Sequence, residues 1–298
     1  MAILNRGFDQ TNLNGSVGGV TYRRVGGVTI ASQKVPMHVK AKQTLPLMFT
    51  RMRWVNLVAL WKAINQTSWH PSFVRENKRI SDFNMFMKAN MAGARTYLPK
   101  GIAAAGGAVV APVTLTTPST LAAIDTDFGN ADVPESDLAM GTITLGNSTT
   151  LKVFSDTIVA NNTGWQIGDK LVILMLRQLM SNNVPYAQAD VLTVTLKNDT
   201  EASTTLLKDV CDISLLNIVD GCLGLSGPIN GGVAFIHTRI VNGETICSAA
   251  ELECTNTYLS NYQGTTAFNT AVESYGGFAA EQTLTPDVSI DVDVNVNP

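Results

Sequence analysis

Charged side chains are scarce in this chain, and so are aromatic residues and histidines. Asp, Glu, Lys and Arg make up 15% of the 298 residues, aromatic residues make up 7%, and there are three histidines. The sequence has no GxGxxG loop after a strand, no GxxxxGK[ST] loop, no HExxH and no GxSxG. We therefore expect a protein that is not an enzyme, that uses no cofactor and that has no small-molecule substrate.

Long hydrophobic runs are missing as well. The first residues lack the apolar core of a secretory signal. The apolar stretch 102–112 is glycine-rich and much shorter than the roughly 20 residues that cross a bilayer. We expect a product that starts in the cytoplasm and has no membrane partner.

Metal-binding patterns are also lacking. The four cysteines have no CxxC pairing, so we expect buried free thiols rather than a zinc site or disulfides. Two acidic clusters could bind Ca²⁺, but neither follows the EF-hand pattern, and solvated acids are the preferred interpretation. Each histidine is interpreted as a hydrogen-bonded structural residue. The cysteines are Cys211, Cys222, Cys247 and Cys254. The acidic clusters are Asp125 with Asp127, and Asp287 with Asp291 and Asp293. The histidines are His38, His70 and His237.

The charge that is present is divided into two blocks. Residues 1–100 hold 15 Lys and Arg but only three acids, a formal charge of +12. Residues 101–298 hold six basic and 21 acidic residues, a formal charge of −15. Such asymmetry indicates that the two segments face different partners, either nucleic acid or an acidic protein surface, including that of a neighbouring copy.

A β-hairpin is predicted in the basic block. Two alternating β-branched runs, 20–25 and 28–33, flank Gly26-Gly27, which suits a type I′ turn. Because an isolated hairpin is marginal in water, this one should dock onto its own helices or onto another subunit.

A helix pair follows the hairpin. The first helix is predicted from Pro46 to about Ile64, with Thr44 as a possible cap and an apolar stripe at helical spacing. The second is predicted to begin at the cap Ser81 and to end near Gly93, with its Phe and Met side chains packed on the first.

Beyond the helices the sequence predicts short strands. We place a small-residue linker at 100–112 and an antiparallel β-sandwich at 113–254, after the basic module 1–99. The acidic region 255–298 ends in an alternating stretch, 287–298, that predicts an edge strand or an extended tail. The fold class is therefore α+β. The predicted strands are 113–117, 140–145, 150–159, 170–179, 190–197, 213–218, 232–241 and 244–249.

The basic module supplies the candidate contact residues. Their Lys and Arg side chains could neutralise phosphates without reading sequence, yet no helix-turn-helix, RNP or zinc-finger signature accompanies them. Charge complementarity with an acidic protein surface explains them equally well. The candidates for interface or phosphate contacts are Tyr22, Arg23, Arg24, Arg51, Arg53, Arg75, Lys78 and Arg79.

Four segments resemble an uncharacterised family found in Bacteroidales bacteria and their phages. Residues 14–34, NGSVGGVTYRRVGGVTIASQK, resemble its glycine-punctuated N-terminal hairpin, and 82–86, DFNMF, its FN-containing helix end. Residues 169–174, DKLVIL, and 232–248, GVAFIHTRIVNGETICS, are similar to its Ig-like strand pair with a DG or NG turn before a serine. The likeness spans most of residues 14–250.

Similar proteins occur among the structural genes of crAss-like and related phages. The resemblance implies a virion component, such as a tail-barrel ring or a head- or portal-associated protein, made in the host cytoplasm and built with an Ig-like domain. We expect it to oligomerise through its basic module and by strand exchange. Its partners would be copies of itself and other virion proteins, with DNA contact possible if the module lines a channel. A nucleic-acid-binding module is the alternative.

Overall fold

The predicted α+β class is confirmed. The computed structural model describes residues 2–3, 15–17, 19–25, 28–33, 45–66, 80–91, 98–111, 113–115, 121–128, 133–255 and 266–275. Within these ranges, helices and several antiparallel sheets occur together.

Fourteen strands and seven helices lie in the described ranges. The strands are β1 (Ala2–Ile3), β2 (Gly15–Val17), β3 (Val20–Val25), β4 (Val28–Gln33), β5 (Val113–Leu115), β6 (Thr126–Asp127), β7 (Glu135–Ala139), β8 (Lys170–Ser181), β9 (Val184–Thr195), β10 (Leu216–Val219), β11 (Cys222–Leu225), β12 (Gly231–Val241), β13 (Glu244–Cys247) and β14 (Ala250–Thr255). The helices are α1 (Leu45–Asn65), α2 (Asp82–Asn90), α3 (Lys100–Ala104), α4 (Leu151–Asn161), α5 (Thr200–Thr204), α6 (Leu207–Val210) and α7 (Thr266–Glu273).

The predicted N-terminal hairpin is confirmed as part of a larger sheet. Strands β3 and β4 pair antiparallel from Val20 opposite Gln33 to Val25 opposite Val28. Strands β1 and β2 extend the sheet on either side, in the order β1-β4-β3-β2. The predicted Gly26-Gly27 turn and the Thr44 cap lie outside the described residues.

A six-stranded antiparallel sheet forms the centre of the molecule. Its order is β5-β14-β12-β8-β9, with β13 also paired to β12. Strands β8 and β9 join through Asn182-Asn183, which have φ of 50° and 63°. Two residues with positive φ are what a type I′ hairpin turn requires, and Asn tolerates that conformation better than most residues.

One face of the central sheet is covered by the helix pair. Even-numbered residues of β8, Val172, Leu174 and Leu176, share a core with Leu60 of α1 and Phe86 of α2. The Ser81 cap is confirmed, since its Oγ accepts a hydrogen bond from the backbone N–H of Asn84 at 3.3 Å.

The other face packs on α4 and a second small sheet. Odd-numbered residues of β8, Leu171, Ile173 and Met175, share a core with Phe154 and Ile158 of α4. A four-stranded sheet of order β10-β11-β7-β6 contributes further buried residues to this core. The central sheet is therefore buried on both faces, which explains why β8 is apolar at successive positions.

Two predicted strands are wrong, and a third, 213–218, is wrong in its first half, where 213–215 form a 3-10 turn before β10. The predicted strand 150–159 is helix α4, because the Thr150 side chain caps it and Leu151, Phe154 and Ile158 fall on one helical face. The predicted strand 140–145 is a turn and irregular chain. An Ig-like sandwich is not confirmed, since helices rather than a second sheet cover one face of the central sheet.

The segment predicted as a linker is packed against the central sheet. Residues 100–104 form α3, and 107–111 are buried. The Gln178 side chain fixes this segment, since its Oε1 accepts from the N–H of Val110 at 2.8 Å and its Nε2 donates to the carbonyl of Ala108 at 3.2 Å. Its role as a domain boundary stays a prediction.

Candidate functional site

A buried carboxylate, Asp169, joins two strands and a loop beside a cavity. Its side chain is fully buried and accepts four hydrogen bonds. Arg239 donates two of them, from Nε at 2.7 Å and from Nη2 at 2.6 Å. The N–H of Gln166 donates the third at 2.9 Å, and Nε2 of His237 lies 2.8 Å from the same carboxylate.

Strand geometry brings these groups together. Asp169 comes directly before β8, and β12 pairs with β8 so that His237 lies opposite Leu171. His237 and Arg239 are two residues apart on β12, so both side chains point to the same face of the sheet. Both can therefore reach one carboxylate at the start of the neighbouring strand.

The loop that precedes Asp169 is held on the other side of this cluster. The ring of Trp165 stacks on the ring of His237, with centroids 3.7 Å apart and planes inclined by 6°. Arg239 also donates from Nη2 to the carbonyl of Gly164 at 2.6 Å. The cluster thus ties the loop to β12 through a stacked ring pair and a guanidinium.

The electrostatics of the cluster favour an ionised carboxylate and a neutral imidazole. Burial tends to raise the pKa of Asp169, but hydrogen bonds from Arg239, Gln166 and His237 outweigh it and hold the pKa below its usual value. Burial lowers the pKa of His237, although its hydrogen bond to Asp169 opposes the shift. Since a carboxylate can only accept, Nε2 of His237 carries the proton.

A cavity of about 470 Å³ lies next to the cluster. It is lined by His237, Arg239 and Trp165 together with residues 121–124, 137–139 and 161–164. Asn162 is fixed in the cavity wall, because its side chain bonds both the N–H and the carbonyl of Ala139, at 2.9 and 2.8 Å.

Both carboxylate oxygens of Asp169 accept hydrogen bonds from within the protein, four in total. This arrangement is suited to holding the loop and the two strands together.

The candidate contact residues predicted from the basic block lie on two separate elements. Tyr22, Arg23 and Arg24 are in β3, where Tyr22 is half-buried and Arg23 is exposed. Arg51 and Arg53 are in α1, exposed and half-buried respectively. Strand β3 does not belong to the sheet on which α1 packs. Arg75, Lys78 and Arg79 lie outside the described residues.

Sequence reasoning identifies one member of the buried cluster and misses the others. His237 is predicted as a hydrogen-bonded histidine in a strand, and it is hydrogen-bonded. Asp169 and Arg239 are not predicted as partners, because they lie 70 residues apart. The available signal is an acid directly before an apolar strand and an arginine two residues after a histidine in another.

The four cysteines are free thiols, as predicted, but the predicted burial holds for two of them. Cys211 and Cys247 are buried, whereas Cys222 and Cys254 are half-buried. Burial raises the pKa of Cys211 to about 11, with a smaller contribution from Asp212, which makes this thiol a poor nucleophile near neutral pH.

Comparisons with known proteins identify no relative. No protein-family model, curated protein or solved structure matches the chain. Among the described residues, no group of three or more His, Cys, Asp and Glu is placed to hold a metal ion. In the same ranges, no helix has the length and apolar character needed to cross a membrane.

Proposed function

We propose that this protein is a bacteriophage virion structural protein, a tail-barrel ring or a head- or portal-associated component. It acts by assembly rather than catalysis, and its partners are copies of itself and other virion proteins. The observation that carries the proposal is the division of charge, +12 in residues 1–100 and −15 in the rest. The resemblance of the hairpin and strand motifs to a phage-associated family points in the same direction.

The N-terminal sheet suits such a role. Its four strands pair among themselves and with no strand of the central sheet in the described part of the chain. Arg23 is exposed on β3 and Thr21 and Ser32 are half-buried, so this small sheet presents polar and cationic groups. Because small sheets gain independent stability by packing on another surface, a neighbouring subunit is a natural partner.

Opposite charges on two segments favour head-to-tail contacts between identical chains. The basic block of one copy would meet the acidic block of the next, which increases the association rate and selects the register. Such a contact is heterologous, and it closes into a ring when the rotation between copies permits. A ring or array within a virion is therefore the form that we propose.

A measurement of native mass tests this function. The wild-type chain should form a defined oligomer by native mass spectrometry and light scattering. Arg23→Glu with Arg24→Glu should lower the oligomer mass, because it reverses charge on β3. Lys197→Glu with Lys208→Glu is the matched control, since it makes the same charge change at exposed positions outside the basic block. A wild-type chain that stays monomeric at high concentration would contradict the proposal.

The second candidate is a nucleic-acid-binding module. The exposed Arg23 and Arg51 within a block of charge +12 favour it. Affinity for duplex DNA should then fall linearly with salt concentration on a double-logarithmic plot. The Arg23/Arg24 reversal should reduce that slope by about 1.8, at about 0.9 for each phosphate that is no longer neutralised. DNA binding that stays equally strong in the Lys197/Lys208 variant and disappears in the Arg23/Arg24 variant would favour this function.

A further inference from the structure

Strand β9 presents an unpaired edge. Among the described strands, it is the last of the central sheet and pairs with β8 alone. The two-residue turn 182–183 makes Ser181 and Val184 a hydrogen-bonded pair, so every second residue of β9 from Val184 bonds to β8. The intervening residues of β9 direct their backbone N–H and C=O groups away from β8. On the β8 side the same alternation is visible, because the N–H of Gln178 points to β12 and donates to the carbonyl of Asn230 at 2.6 Å.

The outward groups are open over most of the strand. Near its start, the carbonyl of Pro185 accepts from the N–H of Ala108 at 2.8 Å, which closes that end. Beyond this point, within the described part of the chain, the outward backbone groups of β9 take no backbone partner. The five residues that carry them are Ala187, Ala189, Val191, Thr193 and Thr195.

Beyond Pro185, the outward-bonding residues of this edge are not of the kinds by which proteins protect exposed strands. Proline, lysine, bulges and inward-pointing charges usually prevent pairing with another chain. The five outward-bonding residues include none of these, and β9 pairs with β8 without a register shift from Val184 to Thr195. With about 3.3 Å per residue, the open part from Ala187 to Thr195 is about 30 Å long, enough for an added strand of nine or ten residues.

The sequence contains a segment that fits this edge. Residues 287–296, DVSIDVDVNV, alternate Val or Ile with Asp, Ser or Asn over ten positions. As a strand, this segment would have one apolar and one polar face. The side of β9 that carries Ala187, Ala189 and Val191 packs against the core containing α1 and α2. The Val and Ile side chains of an added strand would extend this apolar face of the sheet. Its Asp, Ser and Asn side chains would lie on the opposite face, toward solvent.

We propose that the open edge of β9 binds residues 287–296 of a second copy as an additional strand. The inference rests on the proposed function, since it identifies the contact by which copies exchange strands. Main-chain hydrogen bonds to the five open residues supply the affinity, and the alternation of the segment sets its register. Each copy gives one segment and receives another, so the contact is heterologous and propagates from copy to copy.

Thr193→Pro blocks the edge without removing a hydrogen bond of the β8–β9 pair. The N–H of Thr193 points outward, and a proline is tolerated where the N–H faces solvent on an edge strand. Thr193→Val is the matched control, because it keeps the N–H and changes only the side chain. The donor segment is inactivated by Val292→Pro, and residue 292 lies outside the described residues.

The test measures binding of a fluorescent peptide of residues 287–298 to the full chain that carries Val292→Pro. We expect binding that weakens at least about tenfold when Thr193→Pro is added and that is unchanged with Thr193→Val. A peptide that itself carries Val292→Pro should not bind. Failure of the native peptide to bind, or equal binding to the Thr193→Pro chain, would overturn the assignment of β9.

Native mass separates this inference from the function on which it rests. Val292→Pro should lower the oligomer mass of the full chain. In one outcome, the wild type assembles and the peptide binds, but Val292→Pro leaves the oligomer mass unchanged. The segment then does not link copies, so strand exchange between copies is overturned while the assembly function stands. If the wild type is monomeric, both the assembly function and exchange between copies are overturned.

Discussion

At the scale of single residues, Asp169 connects parts of the chain that are far apart in sequence. Its carboxylate holds Arg239 and His237 on β12 and the N–H of Gln166 in its own loop. Replacing one partner of a buried ion pair leaves the charge of the other partner buried and unpaired. The resulting loss of stability is larger than the net stability that the intact pair provides. The cluster should therefore affect stability much more than an ion pair at the surface.

Asp169→Asn should lower the free energy of unfolding by about 3 kcal/mol, since the Arg239 guanidinium loses its charged acceptor in a largely buried setting. The control is Asp156→Asn, which removes an exposed i,i+4 pair with Lys152 and should change stability by less than about 0.5 kcal/mol. Urea unfolding measures both. Equal effects in the two variants would contradict the importance of the buried cluster.

The stability of the fold should depend on pH through His237. Its pKa is lowered from 6.5 in the fold, so below pH 6.5 the unfolded chain takes up a proton that the folded chain does not. Stability is therefore complete above about pH 6.5 and falls as the pH decreases toward the lowered pKa, with a slope of at most about 1.4 kcal/mol per pH unit. The pKa of Asp169 is lowered from 3.8, so a further loss follows as the pH falls below that value.

His237→Gln isolates this contribution. Glutamine does not titrate but can still donate a hydrogen bond to Asp169. Unfolding free energies of the wild type and the variant should converge as the pH falls from 7.5 to 5, because only the wild type loses the His237 contribution. The remaining histidines are the same in both proteins, so parallel curves would show that His237 does not titrate with folding.

At the scale of elements, Gly231 permits β12 to pass close to its neighbour. It has φ of 148°, and a Cβ built there would overlap the carbonyl oxygen of Leu176 on β8. No side chain fits that space unless the strands separate. This position, at the start of β12, helps to set the spacing of the two central strands.

Gly231→Ala should destabilise the protein by about 3 kcal/mol or more, because backbone strain and a clash with β8 act together. Gly227→Ala is the matched comparison. Gly227 also has positive φ, 75°, but a Cβ there meets nothing within 4 Å, so its cost should be about 1 kcal/mol from conformation alone. Thermal unfolding of the two variants distinguishes the steric from the conformational cost, and equal losses would exclude a steric role.

Some elements are predictable from local sequence and others are not. The 20–33 hairpin, α1 and the Ser81 cap follow from alternation, helical spacing and capping chemistry, and all three are present. The sequence of α4, LKVFSDTIV, predicts a strand because it is rich in β-branched residues, but packing of Phe154 and Ile158 on the central sheet overrides that preference. The Asp169 cluster depends on strand pairing across about 70 residues, which local patterns do not contain.

At the scale of the whole molecule, the charge blocks and the structural layers have different boundaries. The basic block includes α1 and α2, yet these helices share a core with the central sheet, which belongs to the acidic block. Among the described elements of the basic block, only the β1–β4 sheet shares no strand pairing with the central sheet. The positive charge of the block is therefore carried both by this sheet and by two helices that pack on the central sheet of the acidic block.

Deleting residues 1–44 should separate folding from assembly. Among the described residues, the cores on both faces of the central sheet begin at residue 57, so the deletion removes none of the buried side chains described in them. The melting temperature should change by less than about 4 °C, which corresponds to roughly 1 kcal/mol for a chain of this size. The number of subunits per oligomer should fall at the same time, because the β1–β4 sheet and its arginines are removed.

Circular dichroism and native mass spectrometry on the same samples measure both effects. A deletion variant that melts as the wild type does and keeps the same number of subunits per oligomer would show that the N-terminal sheet is not part of the assembly interface. A variant that fails to fold would instead show that this sheet stabilises the body of its own chain. Loss of assembly with an unchanged melting temperature is the expected result, because the sheet pairs within itself and the body has its own two cores.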